Sequence, residues 1–490
     1  MEPIYLLGID LGTTTCRAAI FDGSGREIAA AYREIAVRYP CPLWAEVEPE
    51  AWWHGVAAVT RDALAASGLP SRAIASVGLS GLMHAPVLLD AVGQPVAPAM
   101  LWMDQRCASQ CARLRAEAAA RGRDPVGLTT GQSAPKLRWL AETQPAVLSR
   151  ARVVLLPKDF IRFRLTGALA TDPSDAGGTG LFDRERGDWD RSLAELCGIG
   201  ADLLPPIVPS AARAGAVTDA AARETGLVAG TPVAVGGADT LCARLGAGAL
   251  DRRTLCLYLG TAAWFSLIDG RAPDGQPVVR AFGATATTGA ALRWTRDLLD
   301  PDDRRTISDR YAALVQLAEE APPGAEGLFF LPHLMGERGP HPVPLARGAF
   351  IGLTLRHGRA HLARAVLEGT AFQIRRLFEA RLAPDRPGAA EAPAVACGGA
   401  ARSAAWMQIL ADVTGRAFRI PEIVEASALG AAMLGGTAAG CLTLETASAR
   451  MVRYIREVWP DPDRRARYEP LYHRYCRLDD LLMTWFDEGG

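Results

Sequence analysis

The chain opens on an apolar run, Ile4-Tyr5-Leu6-Leu7-Gly8-Ile9, that stops at Asp10. Leu11-Gly12-Thr13-Thr14-Thr15 separates it from a second run, Arg17 to Asp22, and Gly23-Ser24-Gly25 separates that from a third, which reaches Tyr32. Short apolar runs punctuated by Gly and Thr predict strands, and glycine accepts the positive φ that tight hairpins require. The expected arrangement is an antiparallel meander of three strands. The rhythm returns in the second half. Thr254 to Leu259 predicts a strand, Gly260-Thr261-Ala262-Ala263 a turn, and Trp264 to Ile268 a second strand closed by Asp269-Gly270. A pattern that occurs twice in one chain points to two related domains facing each other.

Elsewhere the period changes. Residues 50–67 predict an amphipathic helix and Ile74 to Leu79 a strand. Pro393 to Cys397 is apolar and runs into Gly398-Gly399-Ala400-Ala401, after which Ser403 to Thr414 is helical. Ser427 to Ala439 is a helix of small residues, suited to close packing. Residues 380–393 read as an exposed loop. Tyr454 to Asp487 is aromatic and charged and predicts one or two helices packed on the outside, broken at Pro460-Asp461-Pro462.

Composition narrows the classes. At roughly 100–200 residues per domain, 490 residues imply two or three domains. Lys and Arg number 53 against 54 Asp and Glu, so nothing in the charge calls for nucleic acid or an anionic membrane surface. The ten cysteines show no paired spacing of a zinc site and are expected to be reduced thiols. Met1 to Asp10 lacks the pattern of a signal peptide, and no apolar run approaches the ~20 residues of a membrane span. A soluble cytoplasmic protein is the expectation.

The candidate chemistry sits where strands end. An acid followed by a Gly/Thr turn suits a metal–phosphate site: Asp10 could hold Mg²⁺, and Thr13, Thr14 and Thr15 offer hydroxyls. It reads equally as an ordinary hairpin with a capping Asp. No Gly-x-x-x-x-Gly-Lys-[Ser/Thr] loop occurs there. Gly260-Thr261 could grip phosphates, and Gly398-Gly399 could let a base lie on bare backbone. Asp239, at the end of Pro232-Val233-Ala234-Val235-Gly236-Gly237-Ala238, could take the proton of an attacking hydroxyl, or could simply cap the helix that follows. His84 could donate to a sugar hydroxyl or be a structural histidine. Trp102, Asp104 and Arg106 suit sugar recognition or a buried ion pair, and Lys158, Asp159 and Arg162 read as a helix start with local ion pairs.

Together these segments resemble the FGGY carbohydrate kinases, and among them most closely the xylulokinases. The resemblance rests on Gly8 to Thr14, Pro42 to Glu46, Met83-His84, Leu101 to Arg106, Leu156-Pro157-Lys158-Asp159-Phe160, Asp172-Pro173-Ser174-Asp175-Ala176 and Gly236 to Asp239. It continues in Leu331 to Arg338, Ala365 to Gly369 and Gly398 to Ser403. It implies an α/β fold of two actin-like ATPase (ribonuclease H-like) domains flanking a central cleft that holds ATP and sugar. The domains would be 1–248, carrying the sugar site and base, 249–445, binding nucleotide, and a helical extension, 446–490.

By motif match, Asp239 is the catalytic base and Asp10 the acid serving metal and substrate, the two sharing Mg²⁺. Met83 and His84 are the sugar pair, joined by Trp102, Asp104 and Asp239. Thr13, Thr14, Thr15, Arg17, Gly260, Thr261 and Gly289 lie on the phosphate side, and Gly399, Ala400 and Ser403 on the adenosine side. The activity implied is ATP-dependent phosphorylation of a small sugar, D-xylulose first, with gluconate, ribulose or a polyol as alternatives; a homodimer is the family's habit. A sugar-binding protein without turnover and a nucleotide-driven switch are the other classes. Four positions depart from the xylulokinase pattern: Leu82 stands where Gln is usual, Ala85 where Gly is usual, Ala262 where Ser is usual, and Gly339 where Thr is usual after Glu337-Arg338.

Overall fold

The computed structural model describes residues 4–122, 128–251, 254–271, 277–301, 305–337, 339, 343, 345–382 and 393–488. Most of the loop expected at 380–393, and Arg338 and Pro340 of the Glu337–Pro340 motif, lie outside the described residues. The chain forms two compact units, neither continuous in sequence. The first takes 1–248, 270–278 and 426–452; the second takes 249–269, 279–425 and 453–490.

The first unit is built on a seven-stranded sheet: β1 (Tyr5–Leu11), β2 (Thr15–Asp22), β3 (Glu27–Glu34), β4 (Ile74–Gly81), β5 (Arg213–Ala216), β6 (Pro232–Ala234) and β7 (Gly237–Ala238). The order is β5-β6-β4-β1-β2-β3, with β7 also paired to β4. β1, β2 and β3 form the antiparallel meander that the alternating runs predict, and β4 joins β1 in parallel. Alternate residues of a strand face opposite sides. Leu7, Ile9 and Leu11 therefore share a core with Trp52, Val56 and Val59 of helix Pro49–Ser67.

The other face carries helix Ala426–Ala438, and there two glycines at the centre of the sheet let the helix approach. Gly8 and Gly78 are register partners on β1 and β4. A Cβ on Gly8 would lie 1.8 Å from the Ala428 carbonyl oxygen, and one on Gly78 would lie 1.7 Å from that of Ala431. Helix Asp239–Gly246 meets the same helix equally closely: a Cβ on Gly430 would lie 1.9 Å from the Cys242 carbonyl oxygen. The small-residue composition of 426–438 is thus spent on backbone-to-backbone contact.

The second unit has a six-stranded sheet: β8 (Cys256–Leu259), β9 (Ala263–Arg271), β10 (Pro277–Ala284), β11 (Ala394–Cys397), β12 (Phe418–Pro421) and β13 (Tyr454–Val458), in the order β10-β9-β8-β11-β12-β13. β9 runs on to Arg271, through the Asp269-Gly270 pair expected to close it. β8 and β11 are parallel, as are β11 and β12. Tyr454–Val458 corrects the sequence reading: it is not helical but an antiparallel edge strand on β12. The helix after it is a single one, Pro462–Asp487, started by Asp461, whose side chain accepts from the Arg464 amide. Nor is it merely external, since Tyr468, Tyr472 and Tyr475 are buried in the core with Phe372 of helix Arg359–Arg381. Among the described residues no helix is long and apolar enough to cross a membrane.

Candidate active site

The parallel strands of the first unit deliver its chemistry to one edge. In register, Asp10 of β1 lies opposite Ser80 of β4, and Ser80 opposite Gly237 of β7. Neighbouring strands are ~4.8 Å apart, so the residues that follow these ends, Leu82 to His84 and Asp239, emerge side by side with Asp10. The Ser80 hydroxyl donates to Asp10 Oδ1 at 2.6 Å.

Asp239 is the first residue of helix Asp239–Gly246; the cap position is Ala238, without a side-chain cap. Gly236, at φ +83, makes the sharp entry to this turn. A Cβ there would also meet the Leu79 carbonyl oxygen at 2.5 Å. Asp239 is half-buried by surface, yet its carboxyl lies deep among protein atoms. Burial first, and the neighbouring Asp10 charge second, push that carboxyl up to about 7, against the smaller pull of the Thr240 amide. The adjacent carboxylates of Asp10 and Asp239 fit a divalent metal ion. Among the described residues no cluster of three or more potential ligands would cage one, which suits Mg²⁺, commonly held by one or two carboxylates with phosphate and water completing the shell.

His84 has a left-handed backbone, φ +77, uncommon for a residue other than glycine. Three groups hold it there. Its Nδ1 donates to the Gly178 carbonyl oxygen at 2.6 Å. Its own carbonyl oxygen accepts from Ser133 Oγ at 3.1 Å and Lys136 Nζ at 3.0 Å. Burial lowers the Lys136 ammonium to about 7. A neutral imidazole that donates through Nδ1 accepts through Nε2. The contact fixes the orientation of the His84 ring; an imidazolium held this way would donate through both nitrogens. Gly178 also walls Met83: a Cβ there would lie 2.4 Å from Met83 Cε.

The remaining first-unit candidates divide. Trp102 Nε1 donates to Thr13 Oγ1 at 3.0 Å, joining the β1–β2 turn to the 101–106 segment. Asp104 has a structural geometry: fully buried, it accepts from the Ala45 amide at 2.7 Å and pairs with Arg106 Nη2 at 2.7 Å. Of the two readings open in the sequence, the buried ion pair is the one formed. Arg17 pairs with Glu27 across β2 and β3. Thr14 and Thr15 are exposed at the turn. Ser80, Gly178, Ser133 and Lys136 carry no local signal that would have singled them out.

In the second unit the candidates also gather at strand ends. Gly260 and Thr261 follow β8, and their carbonyl oxygens accept from the amides of Gly289 at 3.0 Å and Ala290 at 3.0 Å, which begin helix Gly289–Leu299. A Cβ on Gly289 would lie 2.5 Å from the Gly260 carbonyl oxygen. Gly398, at φ +90, follows β11, and a Cβ there would meet Leu259 of β8. Gly399 is exposed with open space above it. Ser403 caps helix Ala404–Thr414 by accepting from the Trp406 amide at 3.2 Å, with Ala400 half-buried beside it. Backbone and small residues at the carboxyl ends of parallel strands form a usual place for nucleotides.

Comparison with known proteins bears on the same residues. The N-terminal domain model of the FGGY family of carbohydrate kinases matches residues 5–246, and the C-terminal domain model matches 266–439. The xylulose kinase of Escherichia coli K12 is 33% identical over 97% of this chain and 99% of its own. The solved xylulose kinase of Rhodospirillum rubrum is 32% identical, with a TM-score of 0.82 over 98% of this chain and 99% of that one. The solved gluconate kinase of Lactobacillus acidophilus superposes at a TM-score of 0.85 over 100% of both chains, at 24% identity, and so shares the fold. Matches that run through both units, over the strands that end in Asp10, Asp239, Gly260 and Gly398, place this chain in the FGGY family of carbohydrate kinases, sugar phosphotransferases built from two actin-like ATPase domains.

Proposed function

We propose that the protein phosphorylates D-xylulose with ATP, giving D-xylulose 5-phosphate, and that Asp239 is the general base. The observation that carries this is the Asp239 carboxyl, drawn up to about 7 at the end of β7 beside Asp10. A base of that pKa is largely ionised at slightly alkaline pH and accepts a hydroxyl proton more readily than an ordinary carboxylate. Met83 and His84 orient the acceptor, His84 through a hydrogen bond to one hydroxyl. Asp239 takes the proton of the hydroxyl that attacks the γ-phosphorus. In the first unit Thr13 offers a hydroxyl to phosphate oxygens; in the second Thr261 offers another, Gly260 and Gly289 put no side chain in the way, and Gly399 and Ala400 border the adenosine. Mg²⁺, held by Asp10 and Asp239, would supply positive charge for the phosphate oxygens. The xylulose kinases at about one-third identity support the choice of ketopentose.

A second reading, gluconate, is favoured by Leu82, a buried apolar residue where the xylulokinase pattern has an amide. The deciding experiment is coupled ADP release with Mg-ATP against D-xylulose, L-xylulose, D-ribulose, L-ribulose, D-gluconate, glycerol and erythritol. D-xylulose should stand highest in kcat/KM. D-gluconate first would transfer the assignment to the second reading, and ADP release without acceptor dependence would remove both.

A further inference from the structure

The motifs Lys158-Asp159 and Asp172 to Ala176 are left without a task by the reading above, yet they meet directly beneath the Asp239 turn. Lys158, Asp159, Arg162, Asp172 and Asp175 are all fully buried. Lys158 Nζ reaches Asp159 Oδ1 at 2.5 Å, Asp172 Oδ1 at 2.9 Å and Asp175 Oδ2 at 3.0 Å. Arg162 adds a contact to Asp159 at 2.7 Å. Burial holds the Asp175 carboxyl well above the ordinary range, against the pull of Lys158. Asp159 remains ionised: burial opposes its charge, but Lys158 and Arg162 outweigh it. Two cations thus face three carboxyl groups in a fully enclosed cluster.

Such a cluster is a poor investment in stability, because apolar side chains of the same volume often serve as well or better. Its outward contacts say what else it does. Arg162 Nη1 donates to the Val235 carbonyl oxygen at 3.0 Å. Ser210 donates to Asp172 Oδ2 at 2.7 Å, and its carbonyl oxygen accepts from the Gly236 amide at 3.0 Å. Ser174 is held by Asp172, to which both its hydroxyl and its amide donate. The Ser174 oxygen in turn accepts from the Ala238 amide at 2.9 Å. The segment from Val235 to Ala238 is therefore tied at three points, the last being the Gly237–Ala238 peptide, one residue ahead of Asp239.

We propose that Ser174, anchored through Asp172 to Lys158, is a positioning residue for Asp239: it fixes the amide of Ala238 and so the direction in which the Asp239 carboxylate leaves the backbone. The proposal rests on the reading of Asp239 as base. Because Ser174 acts through another residue, its loss should fall on turnover and spare acceptor binding.

The test compares Ser174→Ala, Ser174→Thr, Ser174→Cys and Asp239→Asn, with Mg-ATP and the acceptor from the panel that is turned over fastest. Ser174→Ala should lower kcat about tenfold, with the calorimetric Kd for the acceptor within about twofold of the parent. Ser174→Thr, which keeps a hydroxyl acceptor, should recover most of kcat. Ser174→Cys, with a weaker acceptor of similar size, should fall between and serves in place of Ser174→Ala should that variant not fold. An unchanged kcat in Ser174→Ala, or an intermediate variant no slower than the parent, with Asp239→Asn inactive, overturns the proposal and leaves the base reading standing. A kcat loss matched by an equal loss of acceptor affinity, or not recovered by Ser174→Thr, makes Ser174 structural only. Turnover retained by Asp239→Asn overturns the base reading and this proposal with it.

Discussion

At the carboxyl ends of β1, β4 and β7 the first unit presents two carboxylates, a methionine and a histidine. At the ends of β8 and β11 the second presents glycines, a threonine and a helix start whose first amides bond back to Gly260 and Thr261. The sheets beneath share a plan: three strands in sequence, the first joined in parallel to a later strand, that one joined in parallel to another, then an antiparallel edge. A shared scaffold thus carries two kinds of surface. In the first a carboxyl group, that of Asp239, is buried and its pKa displaced; in the second, side chains are pared back around Gly260, Gly289 and Gly398.

Four substitutions would break or sharpen that contrast. The largest effect is expected from Asp239→Asn, which should lower kcat by at least ~10²-fold, the usual worth of a lost general base. Acceptor and ATP affinities measured by calorimetry should stay nearly intact. Next is Asp10→Asn, expected to cost roughly tenfold or more in kcat. It should also move the pH profile. Asp239 works ionised, so kcat/KM falls as pH drops below its raised pKa. Removing the Asp10 charge takes away one of the two causes of that rise, so the acid limb should shift to lower pH; a limb that stays put would separate the two carboxylates.

The smaller effects form a crossed pair. Gly289→Ala drives a Cβ into the Gly260 carbonyl oxygen and should raise KM for ATP by about tenfold while leaving the acceptor's KM unchanged. His84→Ala should do the reverse, raising KM for the acceptor several-fold and sparing ATP. Steady-state titration of each substrate at saturating levels of the other reads both. If each variant changed both constants alike, the division of labour between the two edges would fail.

What the sequence made legible was local. The meander, its echo, helix Pro49–Ser67 and the acids at strand ends follow from runs of apolar residues stopped by Gly, Thr and Asp. β13 escaped because Tyr454-Ile455-Arg456-Glu457-Val458 is largely charged or aromatic, and only pairing with Phe418–Pro421 makes it a strand. The hold on the His84 ring escaped because its partner, the carbonyl oxygen of Gly178, is 94 residues away. Asp104 could be left between two readings from its neighbours alone, since the Ala45 amide that helps consume its carboxylate is 59 residues distant. The small-residue helix was read correctly as one for close packing, but nothing local said which sheet it would cover.

That helix sets a timetable for synthesis. The glycine faces of β1 and β4, and the helix that begins at Asp239, leave the ribosome long before Ala426–Ala438, the element that covers them. Counted from the end of the helix that begins at Asp239, the interval at the usual pace of translation is roughly 10–40 s, and from β1 and β4 about twice that. During it the nascent first unit has its meander and its Pro49–Ser67 face, but a bare groove of glycine backbone where the helix will lie. A chain released at Gly248 would keep that groove open, and should be captured by chaperones or aggregate, although it contains both carboxylates of the proposed site.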